Sequence, residues 1–155
     1  MNKLKKVCFT ASTGGHFEQL MMLKPLMKKY NGFIVTEKSN YSVENSEFKT
    51  YYLTQVNRRE KTFVINMIGN SIKSLIIIFK EKPDIIISTG ALATIPLCIL
   101  GKVFKKKIIF IESFAKVNSP TLTGRLVYKF ADQFYVQWDE MKKVYPNSIF
   151  KGGIY

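Results

Sequence analysis

The sequence predicts an α/β domain, a Rossmann-like parallel sheet with helices on both faces. Three observations carry this. Short apolar runs alternate with longer stretches whose apolar residues recur at helical spacing. The central runs, such as Ile85-Ile86-Ile87, are apolar throughout, as strands covered on both faces are. Small and polar residues come directly after those runs, in Ser12-Thr13-Gly14-Gly15 and Ser88-Thr89-Gly90. The 155 residues suit one domain, and a chain of that size buries a real core without disulfides.

Residues 4–10 read as a buried strand. Residues 16–30 carry Phe17, Leu20, Met21, Leu23, Leu26 and Met27 at helical spacing, with Gly32 beyond the expected helix end. Residues 33–36 and 48–54 are short strands joined by a polar loop. A long helix over 62–80 ends at Lys82-Pro83. Then come a strand at 84–88, a helix at 91–104 and a strand at 107–111. A helix at 121–130, a strand at 133–137 and a short helix at 139–145 complete the chain. On the long helix, Phe63, Val64, Met67, Ile68, Ile72, Leu75, Ile76 and Phe79 form one stripe expected to pack on the sheet. Ile65, Ile77 and Ile78 fall outside it.

Composition bounds the function. Hydrophobic residues make up 46% and charged residues 23%, which excludes a disordered tail. Lysine and arginine number 24 against 11 acidic residues, a net charge of +13 that calls for an anionic partner. No helix-turn-helix, zinc-finger or RNP-like pattern supports nucleic acid as that partner. The first loop lacks G-x-G-x-x-G, so Thr36-Glu37 does not make a dinucleotide site. Cys8 and Cys98 without CxxC spacing, and a single histidine, predict neither a metal nor a cofactor. The basic opening leads into too short an apolar run for a signal peptide, so a cytosolic chain is expected. Residues 85–101 carry no charge, but Ser88-Thr89-Gly90 and Pro96 divide them into strand, turn and helix rather than a membrane span.

Ligands of parallel sheets bind beyond the carboxyl ends of the strands. There Gly14 and Gly15 permit close backbone approach, which suits phosphate. Ser88-Thr89-Gly90 opens a second such loop, and Glu112-Ser113 brings a carboxylate to the same edge. His16 stands after the glycine pair at a helix start, a place that disfavours imidazolium and suits a proton acceptor.

Five segments occur together: Ser12-Thr13-Gly14-Gly15-His16, Pro83-Asp84-Ile85-Ile86-Ile87-Ser88-Thr89-Gly90, Ile111-Glu112-Ser113, Thr123-Gly124-Arg125-Leu126 and Ala131-Asp132-Gln133-Phe134-Tyr135-Val136-Gln137-Trp138. In this order they resemble the acceptor-side subunit of split GT-B glycosyltransferases. That family includes the eukaryotic asparagine-linked glycosylation protein fourteen and bacterial capsule and exopolysaccharide proteins. The resemblance runs over residues 7–155. A more distant one links the chain to the N-terminal half of the lipid II-forming N-acetylglucosaminyltransferase.

The resemblance implies one half of a GT-B fold and inverting, hexosyltransferase-type transfer from a UDP-sugar to a polyprenyl-diphosphate-linked saccharide. The donor site would come from a separate UDP-sugar-binding subunit. It implies that Ser12, Thr13, Gly14, Gly15, Thr89 and Gly90 face the acceptor's diphosphate. His16 would be the base, with Glu112 orienting it, substituting for it, or touching the reacting sugar. The eukaryotic subunit has an N-terminal span that this sequence lacks, so membrane contact is expected to be peripheral, on the cytoplasmic face. The surface expected on an anionic membrane combines Ile65, Ile77 and Ile78 with Lys102, Lys105, Lys106 and Lys107. Trp138, Ile154 and Tyr155 are the expected partner contacts, the last two on a tail that extends after Gly152-Gly153. The alternative reading is a non-catalytic module that recruits or activates a partner glycosyltransferase.

Overall fold

The computed structural model describes residues 4–38 and 47–155. The loop expected between the second and third strands lies largely outside them, as does the start of the basic opening. Strands β1 (Lys6–Ala11), β2 (Asn31–Glu37), β3 (Thr50–Leu53), β4 (Ile85–Ser88), β5 (Lys107–Ile111), β6 (Gln133–Val136) and β7 (Ile149–Phe150) form one sheet. Its order is β3-β2-β1-β4-β5-β6-β7, and every neighbouring pair is parallel. The order reverses between β1 and β4, the point beyond whose carboxyl ends open parallel sheets bind their ligands.

Helices α1 (Gly15–Met21) and α2 (Lys24–Lys29) cover one face; α3 (Phe63–Glu81), α4 (Ile95–Val103) and α5 (Leu122–Val127) cover the other. Successive β1 residues point to opposite faces. Val7, Phe9 and Ala11 join Leu20, Met27, Ile34 and Ile87, whereas Cys8 joins Phe33, Val35, Ile86, Leu97, Ile108, Phe110 and Val136. The uncharged 85–101 stretch is β4, a 3-10 turn at Leu92–Thr94 and most of α4.

Several elements differ from expectation. The single helix at 16–30 is two helices, because Pro25 lies in the first turn of α2 and has no N–H to continue α1. Gly32 lies inside β2 rather than beyond a helix end. Strand β7 has two residues, too few for a sequence pattern, and pairs through Tyr135↔Ile149 and Val136↔Phe150.

The largest correction concerns α3, which lies with its expected packing stripe outward. Ile68, Ile76 and Phe79 are 57%, 58% and 55% exposed, whereas Ile77 and Ile78 are 5% and 2% exposed. Asn70, Ser74 and Glu81 share the inward face with those two isoleucines. Two of these polar groups have specific partners. The Asn70 side chain accepts from Thr54 N and donates to Thr54 O, both at 2.8 Å. Glu81 gathers Lys6 at 2.5 Å, Lys49 at 2.6 Å and the Tyr51 hydroxyl. Buried polar groups are tolerated when so paired. The pairings orient α3, and its widest apolar stripe faces out.

Candidate functional site

Strands β1 and β4 lie side by side with Thr10 opposite Ser88, and their loops interlock. Ser12 N donates to Gly90 O at 2.8 Å, and Thr89 N to Thr10 O at 3.1 Å. His16 enters this junction from the start of α1. Its Nδ1 lies 2.7 Å from Thr89 O, while Thr89 Oγ1 donates to the His16 carbonyl at 2.8 Å. A carbonyl oxygen only accepts, so Nδ1 carries the ring proton. Nε2 of the neutral ring therefore keeps a lone pair and can take up a proton.

Gly90 backs the imidazole. Its φ is +103°, and a Cβ there would stand 3.0 Å from both Cε1 and Nδ1 of His16. Gly14 and Gly15 form the exposed part of the junction, and a Cβ on Gly15 would meet nothing within 4 Å. Thus Thr13, Gly14, Gly15 and His16 are open to a ligand. Ser12, Thr89 and Gly90, expected to touch it directly, are buried and act instead by holding the loops and the ring.

Glu112 is a second correction. It is 1% exposed and does not contact His16. Oε1 accepts from Ser113 N at 2.9 Å and Thr121 Oγ1 at 2.8 Å; Oε2 accepts from Thr121 N at 3.2 Å and the Tyr145 hydroxyl at 2.8 Å. Four donors use the carboxylate's full accepting capacity. Gly124 leaves room for it, since a Cβ there would fall 2.1 Å from Oε2. Burial, then the Glu112 charge and hydrogen bond, push the Tyr145 phenol far above its ordinary value and keep it a donor. Glu112 therefore ties the loop after β5 to α5 and the segment before β7.

Sequence reasoning missed Glu37 as a site-organising residue. It is buried at the end of β2, where Oε2 accepts from Thr13 N at 3.4 Å and Oε1 from Val56 N at 3.0 Å. An acid ending an apolar strand at the ligand edge was the available signal. Among the described residues no group of three or more His, Cys, Asp or Glu is placed to hold a metal. Cys8 and Cys98 are buried free thiols; burial pushes Cys98 to about 12 and raises Cys8 as well.

Two further surfaces were expected. On α3, Ile65 is 70% exposed, but Ile77 and Ile78 are core and cannot touch lipid. The outward apolar face instead runs through Val64, Ile65, Ile68, Ile72, Ile76 and Phe79. It continues onto exposed Val103 and Phe104 of the α4 end, with the Phe79 and Phe104 rings 5.0 Å apart. Lys102 is held by Asp132 at 2.6 Å. Lys105, Lys106 and Lys107, at the amino edge of the sheet, form no ion pair among the described residues.

The tail does not extend away from the domain. Ile154 N donates to Gln137 Oε1 at 2.9 Å, and the Tyr155 ring meets Phe114 edge-on at 5.0 Å. Phe114 also packs on Trp138, whose Nε1 donates to Phe114 O at 2.7 Å. The three expected contact residues are therefore gathered at one place. Beside them the tail borders a cleft of about 310 Å³ lined by Leu23, Leu26, Ile87, Ile109, Ile111 and Tyr135. The cleft exists because α1 and α2, of seven and six residues, leave that side of β5 and β6 partly bare.

A parallel sheet of this order, with helices on both faces, is the Rossmann-like fold of the domains that form half of GT-B glycosyltransferases and sugar-nucleotide epimerases. Two solved structures have this fold: MurG of Acinetobacter baumannii, with a TM-score of 0.72 and 12% identity, and UDP-N-acetylglucosamine 2-epimerase of Rickettsia bellii, with 0.75 and 15%. They match 88% and 97% of this chain, which spans only 42% and 45% of theirs. The chain itself belongs to the Alg14-like family, whose model, described as "Oligosaccharide biosynthesis protein Alg14 like", matches residues 7–154. It is 23% identical to the human UDP-N-acetylglucosamine transferase subunit ALG14, over 96% of this chain and 82% of that one. The same subunit of Yarrowia lipolytica is 26% identical, over 95% and 80%.

Proposed function

We propose that this chain is the acceptor-side subunit of a two-component glycosyltransferase. It works with a UDP-sugar-binding subunit and transfers a sugar to a polyprenyl-diphosphate-linked saccharide, in capsule or exopolysaccharide synthesis. Family membership supports the subunit role, and the relatives' names make N-acetylglucosamine the first donor sugar to test. The observation that carries a catalytic role is the His16–Thr89 hydrogen bond, which occupies Nδ1 and leaves Nε2 of the half-buried ring to take a proton.

In the reaction, Nε2 takes the proton of the acceptor hydroxyl as its oxygen attacks the anomeric carbon. The bond from that carbon to the nucleotide diphosphate breaks, its electron pair leaves with UDP, and the configuration inverts. Gly14 and Gly15 admit the acceptor's diphosphate close to the backbone. The partner holds the donor and docks against the cleft beside Trp138, Ile154 and Tyr155. The outward face of α3 rests on the anionic cytoplasmic leaflet. Its apolar residues meet the lipid, and Lys105, Lys106 and Lys107 at one end add attraction of roughly 1 kcal/mol each.

The test is transfer by the reconstituted pair. His16→Ala should lower kcat by about 100-fold or more while the two subunits still co-purify, since positioned bases contribute about that much. Wild-type transfer by His16→Ala would overturn the catalytic role and make the chain a recruiting module.

A further inference from the structure

Arginine is scarce in this chain. Three of its 24 basic residues are arginine, and two of those stand together at 58 and 59, on the loop between β3 and α3. We propose that Arg58 and Arg59 are diphosphate-binding residues that clasp the head of the lipid-linked acceptor across from the glycine loop. The proposal rests on the acceptor reading and assigns that site its missing cations.

Placement favours this role. The loop leaves β3 at the carboxyl edge of the sheet, the edge that carries Gly14, Gly15 and His16. Strand β3, from which the loop departs, lies two places from β1, about 10 Å away at ordinary strand spacing. Glu37 couples the two loops physically, accepting from Thr13 N on one and Val56 N on the other. With both its oxygens on backbone N–H groups, it holds the arginine loop beside the glycine loop.

The arginines are also presented rather than used. Their loop is firmly built: Asn70 brackets Thr54, Asn57 Oδ1 accepts from Arg59 N at 3.1 Å, and Glu60 N donates to Asn57 O at 3.1 Å. Yet both side chains are exposed, and among the described residues neither guanidinium has an ion pair or hydrogen bond. Six lysines, Lys6, Lys24, Lys28, Lys49, Lys102 and Lys142, meet carboxylates, whereas among the described residues the two arginines, like Lys105, Lys106 and Lys107, do not. The guanidinium fork bonds two phosphate oxygens at once, which a lysine ammonium does not.

An apolar track begins just beyond the pair. Val64, Ile65 and Ile68 open the exposed face of α3 within its first two turns. A cationic pair leading onto such a track matches an anionic head with a hydrocarbon tail. Lys105, Lys106 and Lys107 lie at the opposite edge of the sheet, so they are not candidates for that head.

The test uses the full chain and neutral phosphatidylcholine vesicles carrying either a polyprenyl diphosphate or phosphatidylglycerol at equal surface charge. Wild type should prefer the diphosphate vesicles. Arg58→Ala with Arg59→Ala should lower that affinity by about tenfold or more, as loss of charge-assisted bonds does. Arg58→Lys with Arg59→Lys should lose part of it, and both variants should bind phosphatidylglycerol as wild type does. Both substitutions are at exposed, unpaired side chains, so thermal midpoints should hold and loss of binding will not reflect unfolding. Undiminished diphosphate binding by the alanine variant overturns the proposal. An equal loss on phosphatidylglycerol also overturns it, since the arginines would then sense surface charge alone. Absence of a diphosphate preference in wild type removes the acceptor reading and this proposal together.

Discussion

The Nδ1 atom of His16 lies 2.7 Å from the carbonyl oxygen of Thr89, a residue 73 positions further along the chain. That contact joins the loop after β1 to the loop after β4. It also determines which ring nitrogen is free, so the tautomer is a product of the sheet's topology.

Two glycine substitutions separate the junction's parts. Gly15→Val meets open space, so the thermal midpoint should barely move while affinity for the lipid-linked acceptor falls. Gly90→Ala places a methyl 3.0 Å from the imidazole at a φ of +103°. It should cost roughly 1–3 kcal/mol in strain and lower transfer by displacing His16. Acceptor titration and thermal unfolding of each variant check this; wild-type acceptor affinity in Gly15→Val would sink the diphosphate assignment.

Glu112 is expected to matter for stability before chemistry. Tyr145→Phe removes one hydrogen bond to a buried carboxylate and should cost about 1.5–3 kcal/mol in urea unfolding. Glu112→Gln turns one of two oxygens, each accepting from two donors, into a donor and should cost at least as much. A Glu112→Gln protein of full stability that fails to transfer sugar would restore the direct role predicted from sequence.

Acid should weaken the fold through Glu81. Burial alone would raise its carboxyl, but hydrogen bonds from Lys49, Lys6 and Tyr51 outweigh burial and bring it to about 2 from an ordinary 4.5. A depressed folded value means that stabilisation is full above the unfolded value. It is lost as pH falls from about 4.5 to about 2, and is worth up to about 3 kcal/mol. Glu81→Gln should be less stable at neutral pH and show a flatter profile through that window. Parallel profiles for both proteins would show that another group governs acid unfolding.

The α3 face predicts lipid binding that separates from folding. Ile68→Asp with Ile72→Asp alters two side chains each 57% exposed, so stability should hold while sedimentation with anionic vesicles falls. Charge reversal at Lys105, Lys106 and Lys107 should weaken the same binding and its salt dependence, because such attraction is screened over about 8–10 Å. Equal binding to neutral and anionic vesicles would remove the electrostatic contribution.

The parallel sheet, and the edge that carries both glycine loops, were determined by the sequence alone. Unbroken apolar runs at β4 and β5 are stable only when covered on both faces, and Gly14-Gly15-His16 and Ser88-Thr89-Gly90 stand directly after their strands. The direction in which side chains turn was decided by the tertiary structure. Glu112 stands at a strand end as expected, but Thr121 and Tyr145, 9 and 33 residues away, draw its carboxylate into the core. Helix α3 makes the same point at larger scale. Its periodicity is the same whichever face is buried, and apolar area alone favours turning the wide stripe inward. Asn70 and Glu81 find partners only on the strand side, at Thr54, Lys6, Lys49 and Tyr51. Turning them outward would break those bonds and leave the Thr54 backbone groups unpaired, so long-range polar pairing sets the face that a local pattern cannot.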